Sequence, residues 1–253
     1  MSTDARIDMG ALVTDATRIY FASFPRIALV AVLSHVPIML VDAFQTLSMT
    51  SVDSPGFGGL TQLSMILGTI ALAITSAYVV PPVMSSLGHR RAPTFAEVSA
   101  RVGAALGTAW LTNLIVGLGV LCFVIPGVIA SLWFCVAIPA SVAEGMTARR
   151  AMDRSKELTE GYRSTALALN LGYGGLLIAV VIASVVPTVL VEMDASASGH
   201  PVNAWLMVAL TVLPTAVQSL VVAYGSALFT VFYARLREVK DGVDADALAA
   251  VFA

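Results

Sequence analysis

The chain contains little from which a catalytic or metal-binding site could be built. Only two cysteines and three histidines occur among its 253 residues, and none of them are grouped at metal-ligand spacing. The sequence also has no phosphate-binding glycine loop, no nucleophile elbow and no dinucleotide-binding fingerprint. We therefore expect a protein that is not an enzyme, that holds no cofactor or metal ion, and that has no nucleic-acid partner.

Charged residues are scarce as well, and long stretches lack them altogether. Only 12% of the residues are charged, whereas 58% are hydrophobic, which is too apolar for a soluble domain of this size. The charge-free stretches cover residues 27–41, 54–88, 102–143, 164–191 and 202–234. Because a helix needs about 20 apolar residues to cross the hydrocarbon of a bilayer, these stretches predict membrane-spanning helices.

Six crossings fit this length. They are predicted near residues 26–47, 61–87, 104–125, 127–143, 164–191 and 204–234. The fold class is therefore expected to be all-α, a polytopic membrane protein in which residues 1–253 form one integral membrane domain. Pro126 and Gly127 interrupt the longest stretch, since proline suits the start of a helix and glycine suits a turn. Residues 104–143 consequently form either two full spans or a re-entrant pair.

Every lysine and arginine falls on one side of the membrane in this arrangement. The fourteen basic residues are Arg6, Arg18, Arg26, Arg90, Arg91, Arg101, Arg149, Arg150, Arg154, Lys156, Arg163, Arg235, Arg237 and Lys240. Segments 48–60 and 192–203, on the other side, have none and carry Asp53, Glu192 and Asp194. Cytoplasmic loops retain lysine and arginine. We therefore expect a bacterial inner-membrane protein with both termini in the cytoplasm.

Three segments on the basic side have the apolar spacing of amphipathic helices, namely 5–20, 94–106 and 147–160. Thr94 and Glu97 in the second segment match a capping box. Such helices either lie in the headgroup layer with basic side chains toward anionic lipid, or pack against neighbouring helices; the sequence favours the first arrangement. The expected partners are anionic lipid headgroups on the cytoplasmic side, together with a protein partner or a second copy of the chain.

A weak internal repeat accompanies these segments. A Val/Ile-Pro step occurs in AVLSHVPIMLV (31–41), GVLCFVIPGVIA (119–130) and VVIASVVPTVLVE (180–192), each within an outward crossing. Each step is followed by an inward crossing and a charged segment. The pattern predicts a three-fold repeat of helical hairpins around an axis near the membrane normal.

The run FVIPGVIASLWFCVAIPASVAEGMTARRAMDRSKELTEGYRSTALALN (123–170) resembles the signature stretch of a family of bacterial six-helix membrane proteins. That family includes the membrane domain of some glycerophosphoryl diester phosphodiesterases. Segments IDMGALVTDATRIYFASFPRIALVAVLSHVPIML (7–40) and FYARLREVKDGVDADAL (232–248) fit the ends of the family. The resemblance implies a six-helix inner-membrane fold. It implies no activity, because this sequence is expected to stand alone, without the soluble barrel domain that hydrolyses phosphodiesters in the fused members.

His35 is the only ionisable residue near the middle of a crossing. It either marks a proton or substrate path or hydrogen-bonds to a neighbouring helix, and the second role is favoured because no second buried titratable partner is evident. Asp42 is placed in the outer headgroup zone. Stripes of small and polar residues, which include Ser64, Thr211 and Thr215, are assigned to helix packing.

Segment 144–163 is the predicted functional surface. Glu144 lies where the fourth crossing leaves the membrane, and a carboxylate there requires a basic partner such as Arg149, Arg150 or Arg154. The candidate functional residues are Glu144, Arg149, Arg150, Arg154, His35, Pro126 and Gly127. The predicted function is a membrane-embedded interaction or lipid-associated module without intrinsic catalysis. The alternative is a small permease or channel, as a monomer or an oligomer, with His35, Asn113, Asn170 and Gln218 near its polar path.

Overall fold

The computed structural model describes residues 7–48, 55–88, 94–198 and 202–242, and it contains helices but no strand within those ranges. The helices are α1 (Met9–Ala22), α2 (Phe24–Leu47), α3 (Pro55–Ser86), α4 (Phe95–Cys122), α5 (Val124–Phe134), α6 (Ala137–Glu144), α7 (Ala148–Thr159), α8 (Arg163–Ser198) and α9 (Ala204–Asp241). Several residues used in the sequence argument lie outside the described residues: Arg6, Asp53, Arg90, Arg91 and positions 243–248 of the resemblance.

Six helical stretches within the described residues are long and apolar enough to cross a membrane. They are Phe24–Leu47, Gly59–Ser86, Ala96–Cys122, Val124–Glu144, Arg163–Ser198 and Ala204–Asp241. The prediction of an all-α polytopic membrane protein is therefore confirmed. Helices α8 and α9 continue through Glu192 and Arg235, beyond the predicted ends of the last two crossings at 191 and 234. With 36 and 38 residues, these helices exceed the roughly 20 residues that span the hydrocarbon and extend beyond it.

The second amphipathic segment is the beginning of a spanning helix. The predicted capping box is present: Thr94 Oγ1 accepts a hydrogen bond from the Glu97 backbone N–H at 3.4 Å, and the Glu97 carboxylate accepts one from the Thr94 N–H at 2.7 Å. From there α4 runs through Cys122. The helix thus begins before the predicted start of the crossing at residue 104, because no proline interrupts residues 95–122 and the helical hydrogen bonding continues into the crossing.

Helices α4 and α5 form a close hairpin around Phe123. This residue is extended, and its N–H donates to the Gly119 carbonyl at 3.0 Å. A Cβ atom at Gly127 would lie 2.3 Å from Val120 Cγ2 and 2.6 Å from the Val120 nitrogen, so only glycine fits there. The predicted break at Pro126-Gly127 is displaced by a few residues: the turn lies at Phe123, and Pro126 lies in the first turn of α5, where its missing N–H needs no partner.

The fourth crossing consists of two helices rather than one. Helix α5 ends at Phe134 and α6 begins at Ala137. Pro139 accounts for the break, because it has no N–H for the Cys135 carbonyl and its ring clashes with that group. The combined stretch from Val124 to Glu144 has 21 residues, and α4 has 28. Each is long enough for a full span, which favours two spans over a re-entrant pair.

The spanning helices pack as three consecutive hairpins, α2–α3, α4–α5/α6 and α8–α9. The first helix of each hairpin also packs against the second helix of the preceding one, so that α2 contacts α9, α4 contacts α3 and α8 contacts α5, while α3, α6 and α9 contact one another. The order of hairpins is that of the predicted repeat, but the Val/Ile-Pro step is not repeated: Pro37 and Pro187 lie within α2 and α8, whereas Pro126 lies in α5, the second helix of its hairpin. The third hairpin is less buried than the others, since the most apolar stretch of α8 has no buried residue (0%).

The two short amphipathic helices pack against the bundle. Helix α1 buries Leu12, Ala16, Ile19 and Tyr20, and α7 buries Ala151, Met152, Ser155, Leu158 and Thr159. Protein therefore covers the apolar faces of these two helices, as in the alternative arrangement, and the position of their basic side chains toward anionic lipid stays a prediction. Large buried side chains of α1, α7 and α9 meet at one end of the molecule. We call it the basic end, since Arg101, Arg154 and Arg235 lie there.

Candidate functional site

The predicted ion pair of Glu144 forms with Arg154. Arg154 Nε lies 3.4 Å from Glu144 Oε1, and the Tyr233 hydroxyl donates a hydrogen bond to the same oxygen at 2.6 Å. The Arg154 and Glu144 side chains are 20% and 17% exposed, so water reaches them only partly. Glu144 is the last residue of α6, and Gly145 ends that helix in the left-handed region with φ +67°.

Arg154 also pairs with Asp241 at the end of α9. Asp241 in turn lies 3.6 Å from Arg237 Nε. Burial lowers the pKa of the Arg154 guanidinium, but the hydrogen bond with Asp241 and the charge of Glu144 outweigh that effect, so its pKa lies above the ordinary value. A permanently charged arginine thus joins α6, α7 and α9. We call Glu144, Arg154, Tyr233, Arg237 and Asp241 the Arg154 cluster.

A second arginine fastens α4 to the end of α6. Arg101 Nη1 donates to the carbonyl of Val142 at 2.8 Å and to that of Ala143 at 3.3 Å. The last carbonyls of a helix lack intrahelical partners and carry the negative end of the helix dipole. Arg101 therefore caps α6, a role that the orientation rule for basic residues does not reveal.

Helix α7 is held from its other side by Trp133 of α5. The Ser155 hydroxyl donates to the Trp133 carbonyl at 2.8 Å. Lys156 Nζ lies 4.8 Å from the centre of the indole ring, and Arg163 Cζ lies 5.9 Å from it, both within cation–π distance. The adjacent residues Arg154 and Ser155 thus join α7 to its neighbours, Arg154 to α6 and α9, and Ser155 to α5.

The remaining predicted residues of this surface are separated from Glu144. Arg149 and Arg150 are exposed in the first turn of α7, and neither forms an ion pair with another described residue. Pro126 and Gly127 lie at the beginning of α5, about 20 residues before Glu144, where they shape the α4–α5 hairpin. Of the seven candidate residues, the structure brings only Glu144 and Arg154 into contact.

His35 is buried, with 6% of its surface exposed, but it bonds within its own helix. Its Nδ1 lies 2.8 Å from the Ala31 carbonyl, and since a carbonyl can only accept, Nδ1 carries the hydrogen. The contact to the next helix is made instead by Ser34, whose Oγ lies 2.9 Å from Thr75 Oγ1. The favoured packing role for His35 therefore needs a correction: the interhelical hydrogen bond belongs to its neighbour.

Asp42 is held inside the bundle. Its Oδ1 accepts a hydrogen bond from Ser64 of α3 at 3.4 Å, and its Oδ2 accepts one from Thr215 of α9 at 3.2 Å. The side chain is half-buried, so it contacts neighbouring helices, and its predicted position in the headgroup zone stays a prediction. Ser64 and Thr215 belong to the polar stripes seen in the sequence, and these stripes are the signal that places a carboxylate between α2, α3 and α9.

The other polar residues predicted near a path through the protein do not converge on His35. Asn113 and Gln218 are exposed on the outside of the bundle. Asn170 donates to the Ala166 carbonyl of its own helix at 2.8 Å.

Comparisons with protein-family models, with curated proteins and with solved structures find no match to this chain. The resemblance to a bacterial six-helix family therefore stays a prediction. Within the described residues, no group of three or more histidine, cysteine, aspartate or glutamate side chains is placed to hold a metal ion. What the geometry offers is a set of charged residues at the basic end and a single carboxylate between three spanning helices.

We expect His35→Gln to have little effect on stability, because glutamine can keep a hydrogen bond in the same space. His35→Leu should lower the free energy of unfolding by less than about 1 kcal/mol, the value of an interhelical hydrogen bond, because the bond that it removes lies within α2. Thermal unfolding of the purified protein in detergent micelles measures both. A loss of several kcal/mol in His35→Gln would contradict a packing role and favour a site that requires the imidazole.

Proposed function

We propose that the chain is a membrane-embedded interaction or lipid-associated module, without catalysis of its own, in the bacterial inner membrane with both termini in the cytoplasm. The observation that carries this proposal is that some basic residues bind groups within the protein while others at the same end are exposed. Arg101 and Arg154 bind groups within the protein, and Arg235 does the same through Asp15 at 2.8 Å. Arg149 and Arg150 are exposed at the same end and remain available to a partner.

The position of Arg149 and Arg150 within α7 strengthens this interpretation. They occupy the first turn of the helix, where the dipole is positive and a cation is unfavourable. The first N–H groups of a helix also lack intrahelical partners. Two arginines and free N–H groups together suit an anion such as a lipid phosphate. These residues therefore contribute more to the binding of a negatively charged ligand than to the stability of α7.

The rest of α7 keeps this surface in place. Its inner side is tied to α6 and α9 by the Arg154 cluster and to α5 by Ser155, so Arg149 and Arg150 project from a fixed helix. In a cytoplasmic orientation they face the anionic leaflet, where each basic residue contributes about 1 kcal/mol of attraction.

Replacing Arg149 and Arg150 together by glutamine tests the proposal. We expect the double variant to bind phosphatidylglycerol about tenfold more weakly or worse, since two attractions of about 1 kcal/mol each are lost. Titration of the detergent-solubilised protein with phosphatidylglycerol, and separately with phosphatidylcholine, measures the change.

Arg235→Gln is the matched control, because it removes one charge at the same end that is already paired with Asp15 and Glu238. It should alter stability more than lipid affinity. Unchanged phosphatidylglycerol binding in a folded Arg149/Arg150 double variant would refute the proposal, as would an equal loss in the control.

A small permease or channel is the second candidate. Polar contacts between spanning helices favour it: Ser76 and Ser226 lie 2.9 Å apart between α3 and α9, and Asp42 contacts both of these helices. The same contacts also serve helix packing, and the outward positions of Asn113 and Gln218 speak against a path through the bundle. Solute flux into proteoliposomes, at a rate above that of protein-free vesicles, would favour this candidate over the module.

A further inference from the structure

Asp42 is a carboxylate between apolar helices with no basic side chain close to it. Stretch 54–88, which contains α3, has no charged residue and no histidine. On α9, the first charged residue after Thr215 is Arg235, about 30 Å along the helix axis. On α2, His35 lies two turns away, about 10 Å along the axis, and Arg26 lies further still. A negative charge in this position has no countercharge from the described residues.

The hydroxyl groups around Asp42 are short of hydrogens. A threonine hydroxyl has one hydrogen to donate. Thr215 Oγ1 lies 3.0 Å from the Thr211 carbonyl and 3.2 Å from Asp42 Oδ2, so it cannot serve both fully. Thr46 donates to the backbone carbonyl of Asp42 at 2.8 Å, and Thr211 donates to the Val208 carbonyl at 2.9 Å. Among these hydroxyls of the described residues, only that of Ser64 therefore donates to the carboxylate without a second acceptor.

The distances agree with this count. Hydrogen bonds between oxygens are usually 2.5–3.0 Å long, whereas those from Ser64 and Thr215 to Asp42 measure 3.4 and 3.2 Å. The hydroxyls of Thr46 and Thr211 lie 3.5 Å apart. Oxygen atoms at this spacing, contributed by three helices, are less suited to hydrogen-bonding one another than to surrounding a small hard cation, which binds carboxylate and other oxygen ligands.

We propose that Asp42, Ser64 and Thr215, with Thr46 and Thr211 beside them, form a binding site for a monovalent cation of the size of Na⁺ between α2, α3 and α9. One positive charge neutralises one carboxylate, whereas a divalent ion would leave an excess charge among apolar helices. The site is distinct from the exposed arginines of the proposed lipid surface, which belong to α7. A bound ion joins the three helices and should stabilise the bundle.

The test is the stability of the full chain in a zwitterionic detergent at pH 8. Replacing choline chloride by sodium chloride at constant ionic strength, from 1 to 100 mM Na⁺, should raise the unfolding midpoint by about 5 °C if the ion binds in the millimolar range. Asp42→Asn should abolish this response and unfold at no lower temperature than the wild type in choline. Thr215→Val keeps the carboxylate and should need a higher Na⁺ concentration for the same shift.

Glu192→Gln is the matched control, since it removes an exposed carboxylate from α8 and should leave the Na⁺ response intact. A response of equal size in the wild type and in Asp42→Asn would overturn the proposal. The proposal would also be overturned if Na⁺ left the unfolding midpoint of the wild type unchanged at both pH 8 and pH 5, while acidification raised it in the wild type but not in Asp42→Asn. The carboxylate would then be neutralised by a proton alone.

Discussion

Replacing Gly127 by alanine should lower the free energy of unfolding by about 3 kcal/mol, the upper part of the range for overpacked sites. The added Cβ would lie 2.6 Å from the Val120 nitrogen and 2.9 Å from its Cα. These are backbone atoms, so no side-chain rotation can relieve the contact and α4 and α5 must move apart. Unfolding of the purified protein in mixed detergent micelles measures the loss.

Gly117→Ala provides the control, because Gly117 lies in the same helical hairpin but has open space where its Cβ would be. That change should stabilise α4 by about 0.5–1 kcal/mol through its helix propensity. Adding Val120→Ala to Gly127→Ala should restore only part of the loss, since it removes the Cγ2 contact and leaves the backbone contacts. If Gly127→Ala proved as stable as Gly117→Ala, the close approach of α4 and α5 would be wrong.

The number of apolar helices could be predicted because it depends only on the length of each segment and on its lack of charge. The ends of those helices could not. Glu192 ends an apolar stretch without ending α8, because a helix that leaves the hydrocarbon can continue in water. Proline was equally ambiguous: Pro187 lies within α8 and Pro214 within α9, whereas Pro139 breaks the fourth crossing. Only the surrounding packing decides which proline interrupts a helix.

The candidate site could be predicted where its partners are close in the chain. Glu144 and Arg154 are ten residues apart on either side of a short loop, and their pairing is confirmed. Tyr233 and Asp241, which complete the Arg154 cluster, come from the last helix and have no local signal. The orientation rule also treats all fourteen basic residues alike. It could not separate Arg101, which caps α6, from Arg149, which is exposed.

The partners of Asp42 could not be predicted for a related reason. Its distance from the end of α2 is about one and a half turns, which in isolation suits the headgroup zone. Its actual surroundings depend on α3 and α9, whose additional length brings Ser64 and Thr215 to the same level. The partners of a polar residue in a helical membrane protein thus depend on the bundle and not on one helix.

Glu144→Ala should lower the free energy of unfolding by about 3 kcal/mol. The change leaves the Tyr233 hydroxyl without its acceptor and removes one of the two close carboxylates from Arg154. Removing one partner of a shielded ion pair is usually worth 3–5 kcal/mol, and we take the lower figure because both side chains retain some exposure. Glu144→Gln should have a smaller effect, about 1 kcal/mol, since the amide oxygen can still accept from Tyr233. Unfolding in mixed micelles distinguishes the two.

Glu157→Ala is the matched control, because Glu157 faces the same arginine at 4.0 Å but is 70% exposed. An exposed pair of this kind contributes less than about 1 kcal/mol, so this variant should resemble the wild type. Equal losses at Glu144 and Glu157 would contradict the shielded character of the Arg154 cluster. Folded Glu144→Gln protein should also bind phosphatidylglycerol as the wild type does, since Arg149 and Arg150 keep their positions on α7. A loss of lipid binding in that variant would mean that the cluster contacts the headgroups itself, and that stability and lipid recognition share the same residues.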